Sequence, residues 1–348
     1  MEIEKLIRPH LKSLQAYSSA RDEFTGQASV FLDANENALG SVAKGDYNRY
    51  PDPHHHNLRS RWSELKDISV DHLFFGNGSD EPIDLLMRLF CEPAKDNIVV
   101  MPPTYGMYSV SAAINNITVI NAALSSDFHI DLALVKNAWN EHTKLLFICS
   151  PNNPSGNLLN EEAIEDLLRE FAGVVVIDEA YIDFTDQPSW SKRLKDFDNL
   201  VVLQTLSKAW GMAAVRVGVA MSSPFIISML EKIKPPYNIS LPNQRLALEA
   251  LQNDGQQVEY VQTLIEQRSF LTSQLNSLES VLKVFQSDAN FLLVKFNDAK
   301  GLYNYLTSHG IIVRDRSTQL HCEGCLRLTV GTHEENLQLI DLITKYHS

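Results

Sequence analysis

"KLLFICSPNNPSGNLLNEEAIEDLLREFAGVVVIDEAY", Lys144 to Tyr181, decides the fold. Its two apolar runs, "LLFIC" and "VVVID", are short and rich in β-branched residues, as strands covered on both faces are. Between them "NEEAIEDLLREF" puts Ile164, Leu167, Leu168 and Phe171 on one helical face, with Asn160 as the expected N-cap. Strand, turn, helix and strand in that order make a unit whose two strands run parallel and whose helix covers the sheet.

The same alternation extends in both directions. "NIVVMP", "NLVVLQTLS" and "VRVGVAM" read as further strands, so residues from about Leu73 to Met221 form an α/β unit with a mostly parallel central sheet. The prolines of "KIKPPYNISLP" mark a helix boundary. A long helical pattern follows to about Leu275, then strands at "FLLVKF", "GIIVR" and "CLRLTVG" around a helix near Leu302 to His309, and a closing helix. The expected division is an N-terminal segment, 1–28, packing with the small domain, a large domain at 29–240, and a smaller α+β domain at 241–348.

Composition narrows the function. Hydrophobic residues at 44% and charged residues at 21% fit a folded globular chain rather than a disordered one. The net charge of −13 argues against nucleic-acid partners, which require a concentrated positive field. There is no apolar run of membrane-spanning length and no signal-like start, so no membrane partner and a cytoplasmic location are expected. The four cysteines suit a reducing compartment. Cys322 and Cys325 have thiol-pair spacing but lack a second pair to complete a zinc site, and adjacent His54, His55 and His56 point different ways, so no metal is expected.

The strands end in reactive residues, and in open α/β sheets such ends share one rim. "TLSKAWGMAAVR" sets Lys208 among small side chains with Arg216 following; a desolvated lysine near a second cation becomes a nucleophile, although alone the stretch more often describes a surface lysine at a helix start. In "GVVVIDEAYIDF" Asp178 leaves the strand with Tyr181 three residues on, a pair that can meet a protonated ring nitrogen and a ring oxygen, or simply cap and pack. "FGNGSDEPIDLLMRLF" puts Gly76, Gly78, Ser79 and Asp80 at a helix start, a phosphate cradle or an ordinary capped helix. Asn152 and Asn153 of "SPNNPSGN" offer amides, and Tyr105 of "PPTYGMY" offers an aromatic face.

Taken together these are the parts that hold pyridoxal phosphate. With "FLDANEN", "NRYPDP", "IIVRD" and "CLRLTVGT" they resemble, in order and spacing over nearly the whole chain, the histidinol-phosphate aminotransferases, a family of class II pyridoxal-phosphate aminotransferases. The resemblance implies a fold-type I transferase of aspartate-aminotransferase type, a homodimer with active sites at the subunit boundary. It implies Lys208 as the lysine that binds the cofactor covalently, Asp178 at the pyridine nitrogen, Tyr181 and Asn153 at the ring hydroxyl, and Tyr105 stacked on the ring. Gly78, Ser79, Asp80, Thr205, Ser207 and Arg216 match the phosphate region, with Tyr50 reaching in from the other subunit. Tyr17, Asn35, Arg314 and Arg327 match the substrate side, where the two arginines can fork onto a phosphate monoester. The implied reaction exchanges an amino group between histidinol phosphate and 2-oxoglutarate in histidine biosynthesis.

The lysine motif departs from the family at Trp210, often phenylalanine, and Ala214, often glycine. The same cofactor residues also suit an aromatic or broad-range aminotransferase or a phosphothreonine decarboxylase. A sensor domain of a transcription regulator is not expected, since that reading calls for a DNA-binding extension and a basic segment.

Overall fold

The structure, a computed structural model, describes residues 3–15, 17, 18, 20–24 and 29–346. Seven strands form the larger sheet: β1 (Leu73–Asn77), β2 (Asn97–Val100), β3 (Thr118–Asn121), β4 (Thr143–Cys149), β5 (Val174–Asp178), β6 (Leu200–Thr205) and β7 (Val217–Ser222), in the order β1-β7-β6-β5-β4-β2-β3. Strands β3, β2, β4, β5 and β6 pair in parallel, whereas β7 runs antiparallel to both β6 and β1. Strands β2, β5, β6 and β7 are buried along their whole length, because helices and loops cover both faces.

One face holds Phe75, Leu146, Ile148, Ile177 and Val202 beneath the helix Glu161–Glu170, which buries Ala163, Ile164, Leu167 and Leu168 as its periodicity predicts. Each such side chain removed from water is worth about 1.5–3 kcal/mol. Asn160 stands at the N-cap, but its side chain makes no capping hydrogen bond. The other face holds Phe74, Phe147 and Leu203 beneath the helices Asp80–Phe90 and Pro224–Ile233.

Ile3 and Ile7 are buried in this second layer, and the Arg8 amide donates to the Leu89 carbonyl at 3.1 Å. This stretch therefore lies on the large domain, not on the small domain as the sequence suggested, because its two isoleucines meet the apolar side of Asp80–Phe90.

The helical pattern after the proline boundary resolves into two helices, Leu241–Gln252 and Asp254–Asn276, broken at Asn253. The second sheet is antiparallel, in the order β10-β11-β9-β8, from β8 (Val281–Val284), β9 (Phe291–Phe296), β10 (Arg314–Asp315) and β11 (Cys325–Thr329). Its two faces differ. Leu292, Val294, Leu326 and Leu328 pack on the helices Ala299–Ser308 and His333–Tyr346, while Phe291, Leu293 and Cys325 turn toward the large domain. Among the described residues no helix is long and apolar enough to cross a membrane.

Candidate active site

At the carboxyl ends of β4, β5 and β6 a cavity of about 230 Å³ opens. Its wall includes Ser79, Asp80, Tyr105, Asn153, Asp178 and Tyr181. Thr205, Ser207, Lys208, Arg216 and Arg327 complete the set of expected residues in it. Gly78 lies just outside the wall, and a Cβ there would strike the Arg216 guanidinium; at φ +72° only glycine takes the turn without strain.

Asp178 ends β5 and is 2% exposed. Its Oδ1 accepts the Ala180 amide at 3.1 Å, and its Oδ2 accepts the Tyr108 hydroxyl at 2.7 Å. Burial raises its pKa to about 6, while the Tyr108 hydrogen bond acts to lower it. Among the described residues no cation forms an ion pair with it. A buried carboxylate facing a cavity in that state lacks a positive partner, which a protonated ring nitrogen would supply.

Lys208 follows β6 in the loop closed by the Leu206 amide on the Val217 carbonyl at 3.0 Å. Its Nζ stands 5.9 Å from the centre of the Tyr181 ring. Burial lowers its pKa, followed by the charge of Arg327, with Arg216 contributing less. The cation expected from sequence to activate this amine was Arg216; Arg327, from the other sheet, contributes more.

The far end of the cavity suits an anion. The helix Asp80–Phe90 begins at Ser79, whose side chain makes no cap, so the first-turn amides keep free donor capacity. Arg216 adopts the left-handed backbone conformation, φ 57° and ψ 51°, a strained choice for a side-chain-bearing residue. Its carbonyl accepts the Gly78 amide at 2.7 Å, which fixes that strain in place. Its guanidinium donates to Asp80 Oδ2 at 3.3 Å and Ser207 Oγ at 3.4 Å, and Ser207 Oγ receives the Thr205 hydroxyl at 3.0 Å. Asp80, which would repel an anion, is engaged by Arg216 and by the Tyr105 hydroxyl at 3.1 Å.

Opposite, Arg327 of β11 donates to Asn153 Oδ1 at 2.6 Å, and the Asn153 amide donates to the Tyr181 hydroxyl at 3.3 Å. Besides Gly78, four expected residues lie outside the wall. Tyr17 is 68% exposed, Asn35 is exposed at φ 54°, and Tyr50 is half exposed and stacked on Tyr237 at 4.5 Å. Arg314 is exposed and pairs across the strands with Arg327.

Tyr108 was missed by sequence reasoning although "PPTYGMY" contains it. Its place on the buried side of the helix Met107–Ile114 with Ser111 and Ala112 was the available signal. Cys322 and Cys325 are buried free thiols whose pKa values are raised by burial to about 12 and about 11, the opposite of a reactive pair. His55 is buried, whereas His56 bonds Asp52 at 2.9 Å.

The family model described as aminotransferase class I and II matches residues 21–343. The chain belongs to the class I and II aminotransferases. It is 50% identical over 344 residues to a protein of Cytophaga hutchinsonii named histidinol-phosphate aminotransferase, covering 99% of each. A protein of the same name from Parabacteroides distasonis is 48% identical, covering 98% of this chain and 97% of that one.

Among solved structures of this aminotransferase fold, the histidinol-phosphate aminotransferase of Clostridium acetobutylicum superposes with a TM-score of 0.79 at 22% identity, over 86% of this chain and 91% of that one. That of Sinorhizobium meliloti, in complex with pyridoxal-5'-phosphate, gives 0.78 at 22% identity, over 90% and 89%. The large, mostly parallel sheet with a smaller domain beside it is therefore the fold-type I arrangement expected from the sequence.

Proposed function

We propose that this aminotransferase binds pyridoxal 5'-phosphate and exchanges the amino group between L-histidinol phosphate and 2-oxoglutarate, yielding imidazole-acetol phosphate and glutamate, reversibly. The carrying observation is that Lys208 and the carboxylate of Asp178, which has no ion-pair partner among the described residues, line one cavity, with anion-holding groups at one end and Arg327 at the other. The relatives at about half identity over the full chain support the substrate.

The residues present fit that cofactor. Lys208 would hold it covalently, Asp178 would pair with its ring nitrogen, Tyr181 and Asn153 would meet its ring oxygen, and Tyr105 would lie on its face. Its phosphate would take the amides at Ser79 and Asp80, the hydroxyls of Thr205 and Ser207, and Arg216, with Gly78 leaving room. Bound there, pyridoxal phosphate supplies the electron sink that makes the α-proton of an amine substrate acidic and carries the amino group between partners.

The protein's own work is to hold and move charge. Asp178, buried and oriented by Tyr108, would keep the ring nitrogen protonated. Lys208, with its pKa lowered, moves the proton off and onto the substrate carbon. Arg327 and Arg314 take the substrate's anionic group, phosphate in one half-reaction and carboxylate in the other, with Tyr17 and Asn35 completing the substrate side.

The assembly that suits this site is a homodimer. Leu32, Leu39 and Val42 stand almost wholly in solvent in one protomer, an apolar run that a second copy would cover. Lys208 and Arg216 are themselves exposed in the single chain, and Tyr50 would reach the neighbouring site. We place the enzyme in the cytoplasm with the rest of its small-molecule chemistry.

The test mixes purified protein with L-histidinol phosphate and 2-oxoglutarate and follows glutamate. Lys208→Ala should lower the rate at least about 10³-fold. A variant as fast as the parent, or a parent that makes no glutamate, overturns the reading.

A further inference from the structure

We propose that Arg316 is a third guanidinium of the substrate's phosphate site, a specificity residue that recognises the phosphate dianion and has little part in binding glutamate. This rests on the histidinol-phosphate reading given above.

The sheet places it there. Arg314 lies opposite Arg327 across β10 and β11, and the next pairing is made by the Arg316 amide, which donates to the Cys325 carbonyl at 2.9 Å. Side chains two apart on a strand share a face, as do residues directly opposite one another, so Arg314, Arg316, Cys325 and Arg327 project together. That face carries Leu293 and Phe291 into the large-domain cluster, and Arg327 over the Phe291 ring, with 5.3 Å from guanidinium to ring centre. It is the face that bounds the cavity.

Arg316, unlike the exposed Arg314, is half-buried with nothing to hold. Its Nε is buried without a hydrogen-bond partner, and among the described residues its side chain makes no hydrogen bond and no ion pair. Arg327, by contrast, has Asn153. Burial, then the charges of Arg327 and Arg314, bring the Arg316 pKa down to about 10, while Tyr181 of the cavity wall acts in the opposite sense. Three cations on one face of the sheet without a carboxylate on that face form an anion receptor, and a guanidinium whose Nε is buried without a partner is costly until an anion arrives.

The valence of that anion follows from the count. A carboxylate has two oxygens and one charge, which a single guanidinium fork satisfies. A phosphate monoester carries three oxygens and a charge of about −1.5 to −2 at neutral pH, with a second ionisation near pH 6. Arg327 and Arg314 suffice for glutamate; the extra charge and oxygen of the phosphate call for the third.

The experiment compares Arg316→Gln and Arg316→Lys with the parent holoenzyme, measuring KM for histidinol phosphate and for glutamate in opposite directions. For Arg316→Gln we expect KM for histidinol phosphate to rise about 10- to 100-fold, with KM for glutamate and both kcat values within about twofold. In the parent, KM for histidinol phosphate should fall as pH rises through about 6 and the dianion forms, and in Arg316→Gln that fall should shrink. Arg316→Lys, which keeps the charge but not the fork, should show an intermediate KM, and it stands as the sole arm if the glutamine variant does not fold.

An unchanged KM for histidinol phosphate, or equal losses toward both substrates, overturns the assignment while leaving the transaminase reading intact. A parent enzyme that does not transaminate histidinol phosphate at all overturns both.

Discussion

The hydroxyl of Tyr108 reaches Asp178 Oδ2 at 2.7 Å, both side chains being buried, with the tyrosine ring stacked on Phe147 at 4.7 Å. The stacking fixes the ring, and the ring fixes the carboxylate that faces the cofactor site. Tyr108 is thus a positioning residue, acting through Asp178.

Tyr108→Phe should keep the stack and lose the donor. The hydrogen bond favours the ionised carboxylate, so its loss raises the Asp178 pKa further above about 6, and activity should begin to fall at a higher pH on acidification. A hydrogen bond to a charged group is worth about 1.5–3 kcal/mol, so cofactor retention should weaken about tenfold or more. The check is a kcat–pH profile beside the rate of cofactor loss on dialysis; a profile superimposable on the parent's refutes the role.

Arg327 depresses the Lys208 pKa more than Arg216 does. The apoenzyme should therefore take up pyridoxal phosphate covalently at a rate that climbs with pH as Lys208 loses its proton. In Arg327→Leu the climb should move to higher pH, because a nearby positive charge that disfavoured the ammonium is gone. Stopped-flow absorbance across a pH series measures it, and a midpoint that stays put would show that burial alone sets the amine.

Glu179, next to Asp178, points the other way. It is 1% exposed and accepts the Trp190 amide at 2.7 Å and the Gln204 side-chain amide at 2.8 Å, and burial raises its pKa from 4.5 to about 7. A raised folded-state pKa means that its contribution to stability is complete below about pH 4.5 and is lost as pH climbs through about 7. Glu179→Gln should abolish that loss, and Gln204 Oε1, buried without a partner, is placed in the same cluster to accept the new amide. Melting temperatures at pH 5 and pH 8 should converge in the variant relative to the parent; an identical pH slope in both would remove Glu179 from the account.

Leu39 and Val42 are 97% and 108% exposed in the single chain. Light scattering should give twice the chain mass for the parent. Leu39→Asp with Val42→Asp should shift the protein toward monomer and lower specific activity in step, since a charge in an apolar contact is costly. A fully dimeric, fully active double variant would place the interface elsewhere.

Much of this was legible in the chain itself. β4, β5 and β6 announced themselves because strands buried on both faces are apolar without interruption, and the Lys208 and Asp178 motifs ended those strands. β3 and β8, half exposed along their length, lacked that signature. The reversed direction of β7 left no trace, since burial is the same whichever way a strand runs. The expected strand "GIIVR" shrank to Arg314–Asp315, because only that pair reaches a partner. Tyr108 and Arg316 could not be assigned from local pattern: the first gains its role from a partner 70 residues away, the second from the register of a two-residue strand.

The reversal of β7 also bears on how the protein can change. Thr205, Ser207, Lys208 and Arg216 all sit in one hairpin whose two legs are zipped together, whereas Arg314, Arg316 and Arg327 belong to another sheet. On the assignment proposed above, the lysine and half of the coenzyme's phosphate contacts therefore travel together as one sealed cassette, while the arginines that would meet the substrate are drawn on a separate panel. Selection for a new amino acceptor should change that panel before it changes the cassette.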